Sequence, residues 1–441
     1  MGGISRRALL AAATMLTGWM KSPVNALAQT MAAPLSPHLE GLIAQMNVQE
    51  KAGQLTLMFA AWRGGAAAAL NPADLLADFG RQLDEVRQGS LGGIFNGHGA
   101  QMARQMQRVA VKESRLAIPL VFAADIIHGC RTIFPVPLGE AASFEPALAE
   151  QTARAAAVEA AALGIDWVFA PMVDIARDQR WGRGVEGAGE DILLGRLFAA
   201  ARTRGFQGGD LRNLDAVMAC AKHFAAYGAA EAGLDYNSVD LSERTLREVH
   251  FPPFQAALEA GAGTMMAAFN ELSGIPATGN RWLLTDILRG EWGFDGLVVS
   301  DYEADKEMIA HGFAADAREA TRLAFMAGVD MCMQSGFYRD YLPTLVHSGE
   351  VPMERLNQAV GRVLQLKERL GLFDDPFRRI DPAREKKAVF TPQSRALARK
   401  AATRSIVLLK NDGDILPLRR SGQRIALVGP FAEGLHDLVG P

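Results

Sequence analysis

Cysteine is scarce in this chain, and its three cysteines suggest neither a disulfide framework nor a metal site. Cys130, Cys220 and Cys332 form no CxxC pair and show no spacing typical of metal ligands. Their odd number argues against complete disulfide pairing. Cys220 and Cys332 lie in apolar runs, where a free cysteine is most simply a residue of the hydrophobic core.

Sequence motifs for cofactors are also absent. The chain contains no HExxH sequence, no cluster of histidines at metal-binding spacing and no P-loop, and Gly92-Gly93 is not part of a G-x-G-x-x-G fingerprint. A formal net charge of -3 over 441 residues implies no broad basic surface. We therefore expect no metal, no nucleotide cofactor and no nucleic-acid partner.

Long apolar runs are missing except at the N-terminus, where the pattern predicts a signal peptide over residues 1–28. Arg6-Arg7 precede an apolar run over residues 8–20, and Ala26-Leu27-Ala28 fits a small-residue cleavage site. The run is too short to span a membrane. The paired arginines also fit a twin-arginine signal. We expect a periplasmic or secreted bacterial protein with no membrane contact after signal removal.

Strand-like and helix-like segments alternate from about residue 39 to 372, a pattern typical of a parallel sheet covered by helices, which we assign to a barrel domain over residues 29–373. Their number and the length of the region fit an α/β fold of the (β/α)8 TIM-like barrel type better than a doubly wound sheet. Seven of the eight strands required can be recognised, at residues 93–95, 120–123, 167–170, 217–220, 265–269, 297–299 and 329–332.

The C-terminal part of the chain predicts a second, incomplete domain. A helix over residues 353–370 should close the barrel, and the polar, proline-containing residues 374–393 are interpreted as a linker. Residues 405–411 and 424–430 resemble the first strands of an α/β sandwich domain over residues 394–441. Because the sequence ends soon afterwards, this domain is expected to be truncated.

Several predicted strands end in polar side chains, and the C-terminal ends of barrel strands face the active-site mouth. Asp301 follows the apolar run Leu297-Val298-Val299, so it is either the N-cap of the next helix or a catalytic carboxylate. A mixture of carboxylate, guanidinium, ammonium and imidazole groups suits a ligand rich in hydroxyls. The polar groups at strand ends are Asp125, Asp174, Arg180, Arg183, Lys222, His223, Asn270 and Asp301.

Five motifs in this order resemble glycoside hydrolase family 3, in particular enzymes of the periplasmic β-glucosidase type. Each motif is modest alone, but the ordered set is specific and covers almost the whole mature chain. The motifs are Asp125-Ile126-Ile127-His128-Gly129, Arg131-Thr132-Ile133-Phe134-Pro135, Arg180-Trp181-Gly182-Arg183, Ala221-Lys222-His223-Phe224-Ala225-Ala226-Tyr227-Gly228 and Val299-Ser300-Asp301.

The resemblance implies a role for each matching residue. Asp301 would be the nucleophile of a retaining reaction on terminal β-D-glucosyl residues of β-glucosides or oligosaccharides. Asp125 would accept hydrogen bonds from the hydroxyls of the non-reducing sugar. The side chains expected to bind the rest of the sugar are Arg183, Lys222, His223, Met266, Phe269 and Tyr302.

Two of these positions depart from the family pattern. Phe269 stands where many members carry a tyrosine whose hydroxyl supports the nucleophile, so it can only wall the sugar pocket. Tyr302 stands where tryptophan or histidine is common, and its ring would stack on a sugar face. Met266 matches a pocket-lining position but equally suits the core.

The resemblance also implies that a second catalytic carboxyl is missing. In family members of this type the acid/base is a glutamate on the second domain, which is expected beyond Pro441. Glu186, Glu190 and Glu231 are available, but none matches its motif position. The 441 residues are therefore expected to be a fragment that hydrolyses ordinary glucosides slowly or not at all.

Three alternatives remain open. The substrate could be a β-xyloside or a related β-glycoside rather than a β-glucoside. The chain could instead be a catalytically impaired sugar-binding fragment. Finally, Lys222 at a strand end could form a Schiff base, as in an aldolase-like lyase.

Overall fold

The computed structural model describes residues 34–62, 79–429 and 432. The signal peptide predicted over residues 1–28 lies outside this part of the chain. Within the described residues, no helix combines the length and the apolar character that a membrane crossing needs.

Eight parallel strands close into a barrel, which confirms the predicted fold. Around the barrel the order is β1, β2, β3, β4, β5, β6, β9, β10 and back to β1, while β7 and β8 form a separate antiparallel pair. The strands are β1 Thr56–Phe59, β2 Gly93–Phe95, β3 Val121–Ala124, β4 Trp167–Val168, β5 Met218–Phe224, β6 Thr264–Ala267, β7 Glu271–Leu272, β8 Ile275–Pro276, β9 Leu297–Tyr302 and β10 Met331–Met333.

The strand that could not be recognised in the sequence is β1. It follows the helix Val48–Gln54 after a single residue, Leu55, so no turn segment separates the helix from the strand. It pairs in parallel with β2 on one side and with β10, the last strand, on the other, and this pairing closes the barrel. A short apolar run that continues directly from a helix carries no periodicity of its own, which is why the sequence pattern missed it.

Helices surround the barrel and supply most of its outer packing. Helix Pro146–Ala162 lies against helix Ile192–Gln207 so closely that a Cβ at Gly205 would stand 2.5 Å from the carbonyl oxygen of Glu150. The longer helices are Pro37–Gln45, Val48–Gln54, Phe79–Arg87, Ala100–Lys112, Pro146–Ala162, Ile192–Gln207, Phe251–Glu259, Ala304–Ala310, Ala317–Ala327, Phe337–His347, Met353–Arg369, Pro382–Ala388 and Pro392–Arg404, with π-helical segments at Leu246–His250 and Trp282–Glu291.

A cluster of charged side chains lies at the N-terminal face of the barrel. Asp330, immediately before β10, accepts hydrogen bonds from Arg289 at 2.6 Å, Arg355 at 3.0 Å and Arg362 at 3.1 Å. Burial opposes the ionisation of Asp330, yet the three guanidinium groups lower its pKa to about 2. Every charge in this cluster has a partner, as expected on the face of a barrel that serves stability rather than catalysis.

The segment predicted as a linker, residues 374–393, is packed against the barrel. It contains the helix Pro382–Ala388, and the buried Arg379 donates hydrogen bonds to the backbone oxygens of Ala216 and Leu370. Ile380 is also buried. Although the sequence is polar, its arginine anchors it by satisfying carbonyl groups at the loops of the barrel.

The two strands predicted for the second domain are not formed in the described residues. Residues 406–411 and 423–428 have no regular secondary structure, and the apolar side chains there are exposed, Leu409 by 91%. A strand requires a neighbour for its backbone hydrogen bonds, and no neighbour is present in the part of the chain described. The prediction of a second domain over residues 394–441 stays a prediction.

The Asp330 cluster provides a test of what holds the barrel closed. Asp330→Ala removes the carboxylate shared by three largely buried guanidinium groups, of which Arg362 keeps a second partner in Asp295. We therefore expect the free energy of unfolding to fall by about 3–5 kcal/mol. Denaturant unfolding followed by circular dichroism measures this change. Asp295→Ala is the matched control, because Asp295 pairs with Arg362 at a half-exposed position and should cost less than about 1 kcal/mol.

The pH dependence of the same cluster has a definite sign. The folded-state pKa of Asp330 lies below its value of about 3.9 in an unfolded chain. The cluster therefore stabilises the fold above about pH 4, and the contribution is lost as the pH falls toward about 2. An Asp330→Ala penalty that stays constant over this range would contradict the account.

Candidate active site

The C-terminal ends of three strands bring most of the predicted site residues to one mouth of the barrel. Asp125 follows β3, Lys222 and His223 lie at the end of β5, and Asp301 lies near the end of β9. Arg183 reaches the same place from the short 3-10 helix Gly182–Glu186 that follows β4. Parallel strands in a closed barrel all end on the same face, so side chains distant in sequence meet there.

Asp301 is buried, and its two carboxylate oxygens differ in their hydrogen bonding. Oδ1 accepts the backbone N–H of Tyr302 at 2.7 Å, whereas Oδ2 has no hydrogen-bond partner among the residues that the structure describes. Burial raises the pKa of Asp301 to about 6, despite the opposing charges of Arg183 and Lys222. The alternative role as a helix N-cap is wrong, because the cap of helix Ala304–Ala310 is Glu303.

His223 lies between two carboxylates and an arginine. Its Nδ1 is 2.9 Å from Asp174 Oδ2, and its Nε2 is 2.8 Å from Arg183 Nη2. Nε2 is also 3.5 Å from Asp301 Oδ2. Burial and the charges of Arg183 and Lys222 lower the pKa of His223 well below its usual value, so the imidazole is neutral.

Arg183 links the imidazole to a further carboxylate. Its guanidinium pairs with Glu186 through two hydrogen bonds of 2.7 and 3.1 Å and lies 5.6 Å from the centre of the Tyr227 ring. Burial disfavours its charge, but Glu186 and Asp301 together raise the pKa of Arg183 above its already high value. The group is thus a permanent cation next to Asp301.

Lys222 and Asp125 form an ion pair, and Asn96, which the sequence analysis did not identify, is hydrogen-bonded to Asp125. Lys222 Nζ donates to Asp125 Oδ1 at 2.8 Å, and Asn96 Nδ2 donates to Asp125 Oδ2 at 3.0 Å. Burial raises the pKa of Asp125, but Lys222 and Asn96 outweigh it and lower the pKa below its usual value. Asn96 directly follows β2 and has a φ of 55°. The sequence signal that could have identified Asn96 is its position as a polar residue at the end of a predicted strand.

An aromatic cluster forms one side of the site. The Phe269 ring lies 5.9 Å from Tyr227 and 4.9 Å from Tyr236, and Tyr227 contacts His223 at 5.4 Å, all between ring centres. Phe269 thus lies in the aromatic cluster beside His223, and its contact with a sugar stays a prediction. Tyr236, which the sequence analysis did not select, is the outermost ring and is 50% exposed.

Tyr302 and Met266 are the other two side chains predicted to contact the sugar. Tyr302 is half-buried, and its ring packs edge-on against Phe95 with 6.1 Å between centres. Met266 lies in β6 and is buried in the hydrophobic core. Sugar contacts by Tyr302 and Met266 stay predictions.

Other members of the motifs shape loops. His128 Nδ1 is 3.0 Å from the backbone oxygen of Phe134, which closes the loop after β3. Arg180 pairs with Asp178 on the surface. His128 and Arg180 thus brace the chain around the mouth and do not contribute charges to it.

The chemistry of the mouth suits a polyhydroxylated ligand. Two ion pairs and a neutral imidazole offer both donors and acceptors, and a carboxylate oxygen without a donor stands beside them. No group of three or more acidic, histidine or cysteine side chains suitable for a metal ion occurs among the residues described. The group most suited to reaction is Asp301 Oδ2.

The raised pKa of Asp301 predicts that its charge destabilises the fold. Because the folded-state pKa of about 6 exceeds the unfolded value of about 3.9, stability present below about pH 4 is lost as the pH rises through about 6. Asp301→Asn should therefore raise the free energy of unfolding by about 1–3 kcal/mol at about pH 8 and leave it nearly unchanged at about pH 4.

Asp125→Asn is the matched control for this measurement, because Lys222 lowers the pKa of Asp125 and the variant should lose stability at about pH 8. Denaturant titrations at both pH values measure the changes. A loss of stability in Asp301→Asn at about pH 8 would contradict the electrostatic description of the site.

The sequence of this chain is similar to those of known proteins. The family model "Glycosyl hydrolase family 3 N terminal domain" matches residues 47–366. The periplasmic beta-glucosidase of Salmonella typhimurium is 43% identical over 415 residues, covering 92% of this chain and 52% of the relative. A beta-xylosidase of Formosa agariphila is 35% identical over 364 residues, covering 76% of this chain and 50% of the relative.

A solved structure agrees with these relatives. The beta-glucosidase of Listeria innocua in complex with glucose superimposes with a TM-score of 0.80 at 40% identity, covering 86% of this chain and 53% of that structure. The chain spans about half the length of the curated relatives it matches. The match to the family model over most of the barrel shows that this chain belongs to glycosyl hydrolase family 3.

Proposed function

We propose that this chain carries the sugar-binding site and nucleophile of a retaining, exo-acting β-glucosidase. The observation that supports this most directly is the buried Asp301 carboxylate, whose Oδ2 has no hydrogen-bond partner and faces groups that bind hydroxyls. The barrel interior below is packed with side chains, so a sugar enters from the mouth. Such a blind site suits a terminal sugar residue.

In the proposed reaction Asp301 Oδ2 attacks the anomeric carbon and displaces the glycosidic oxygen. The product is a covalent glucosyl-enzyme, which water then hydrolyses with retention of configuration. Lys222 and Asp125 bind adjacent hydroxyls as donor and acceptor, and Arg183 and His223 bind the others. Hydrogen bonds to hydroxyls that tighten as positive charge develops on the ring accelerate the reaction as well as bind the substrate.

The general acid is proposed to come from a glutamate outside the described residues. A retaining enzyme needs a second carboxyl at about 5–5.5 Å from the nucleophile. Asp125, Asp174 and Glu186 are close to the site, but each already has a partner in Lys222, His223 or Arg183. Lys222 and Arg183 are cations, which makes Asp125 and Glu186 poor proton donors. Burial raises the pKa of Asp174 to about 7, but its side chain is fully buried behind the neutral His223 and does not reach a leaving group in the mouth.

The preference for glucosides rests on similarity. The Listeria innocua structures are described with glucose and with laminaribiose, and the Salmonella typhimurium relative is named as periplasmic. We propose β-glucosides as substrates and the periplasm as the location. A β-xyloside is the second candidate, because several similar proteins are named as xylosidases.

The Lys222 lyase alternative fits the geometry less well. A Schiff base forms from a neutral amine, whereas Lys222 Nζ is 2.8 Å from the Asp125 carboxylate, which stabilises the ammonium form. The sugar-binding alternative shares the same hydroxyl-binding groups and differs only in whether Asp301 reacts. A covalent test therefore separates it from the enzyme.

The direct test uses a dinitrophenyl β-glucoside in which fluorine replaces the hydroxyl beside the anomeric carbon. Its good leaving group needs no general acid, and the fluorine slows breakdown of the adduct. We expect intact-mass spectrometry to show one added fluoroglucosyl group, located on the peptide that contains Asp301. Asp301→Asn should remain unlabelled, while Asp178→Asn, a surface control, should label at the wild-type rate.

The same chain should hydrolyse cellobiose slowly or not at all, because cellobiose has a poor leaving group. Rapid hydrolysis of cellobiose would contradict the proposed location of the acid. Binding of glucose without any labelling would favour the sugar-binding fragment, and faster labelling by the matched fluoroxyloside would favour a xylosidase.

A further inference from the structure

We propose that Asp174 is a positioning residue that keeps Asp301 Oδ2 free by fixing the tautomer of His223. The role of Asp174 rests on the proposed function, since it takes Asp301 as the nucleophile. Asp174 lies in the segment that follows β4 and is buried. The described hydrogen bonds and ion pairs connect it to His223 and not directly to Asp301.

The contacts of His223 determine which nitrogen carries its proton. A guanidinium can only donate hydrogen bonds, so His223 Nε2, at 2.8 Å from Arg183 Nη2, must be the acceptor. A neutral imidazole then carries its proton on Nδ1. That N–H donates to Asp174 Oδ2 at 2.9 Å. The buried His223 is therefore the Nδ1–H tautomer.

This tautomer has a consequence for Asp301. Nε2 lies only 3.5 Å from Asp301 Oδ2, but both atoms are acceptors, so no hydrogen bond joins them. In the opposite tautomer Nε2–H would face Oδ2 and could donate to it. Such a bond would stabilise the carboxylate before it reacts and lower its nucleophilicity.

Asp174 is one of two groups that favour the Nδ1–H tautomer. Arg183 also favours it, whereas the negative charge of Asp301 favours the opposite one, because an anion attracts an N–H donor. Asp174 Oδ2 accepts the backbone N–H of His223 at 2.9 Å as well, so it holds both the ring and the main chain that carries it. Burial raises the pKa of Asp174, and the backbone N–H groups of His223 and Gly228 oppose this rise.

This geometry predicts different results for two substitutions. In Asp174→Asn the backbone N–H of His223 selects the amide oxygen, so the Nδ1–H bond is kept and the amide nitrogen occupies the place of Oδ1. In Asp174→Ala the acceptor is lost, and Nε2–H can turn to Asp301. We expect the rate of Asp301 labelling to fall about 10- to 100-fold in the alanine variant and less than about threefold in the asparagine variant.

The tautomer itself is measured by NMR on protein labelled with ¹⁵N in histidine, with His223→Gln used to assign the signal. We expect Nδ1–H for His223 in the wild-type chain and in Asp174→Asn, and Nε2–H in Asp174→Ala. Circular dichroism shows whether the alanine variant is folded. The wild-type spectrum needs no variant, so an Nε2–H signal there overturns the proposal.

The outcomes separate this role from the proposed function. No labelling of Asp301 in the wild-type chain overturns the proposed function. Normal labelling that is unchanged in a folded Asp174→Ala variant overturns only the role of Asp174. Equal loss in the alanine and asparagine variants also overturns it, because the asparagine variant keeps the acceptor.

Discussion

A buried carboxylate oxygen without a hydrogen-bond donor is the constraint around which the mouth of this barrel is organised. Asp301 is only 8% exposed, and the hydrogen bond that its carboxylate accepts from Tyr302 N–H uses the other oxygen. Burial of an unpaired charged oxygen is costly unless cations lie near it. Arg183 and Lys222 supply that charge, but each directs its own hydrogen bonds to another acceptor. The two cations thus offset part of the cost of burying the proposed nucleophile, while its Oδ2 accepts no hydrogen bond from the described residues.

The buried carboxylates on the two faces of the barrel differ in their hydrogen bonding and in the direction in which their pKa is shifted. On the N-terminal face, Asp330 is bound by three arginines and by the backbone N–H of Val298, and its pKa is lowered to about 2. On the C-terminal face, burial outweighs the neighbouring cations and raises the pKa of Asp301 to about 6. A satisfied cluster contributes stability, whereas an incompletely satisfied one lowers stability and retains reactivity.

Most of the barrel and of its mouth could be predicted because both depend on local patterns. Apolar runs ending in polar residues located seven strands and placed Asp125, Lys222, His223 and Asp301 at the strand ends that the structure brings together. The pairs that organise these groups join separate strands. The bonds of Asn96 to Asp125 and of Asp174 to His223 span 29 and 49 residues, a distance over which a single sequence carries no pairing signal.

Strand β1 was missed for a different reason. It follows a helix after a single residue, so its pairing with β2 and β10 identifies it rather than its sequence pattern. Conversely, residues 405–411 have strand-like composition but no partner among the described residues, and a strand depends on its neighbour more than on its composition.

A crystal structure of the chain after reaction with the activated fluoroglucoside would test the central claim most directly. The account predicts continuous density between the anomeric carbon and Asp301 Oδ2, with the sugar hydroxyls on Asp125, Lys222, His223 and Arg183. A sugar bound in the mouth with Asp301 Oδ2 unmodified, or joined instead to Lys222, would contradict it.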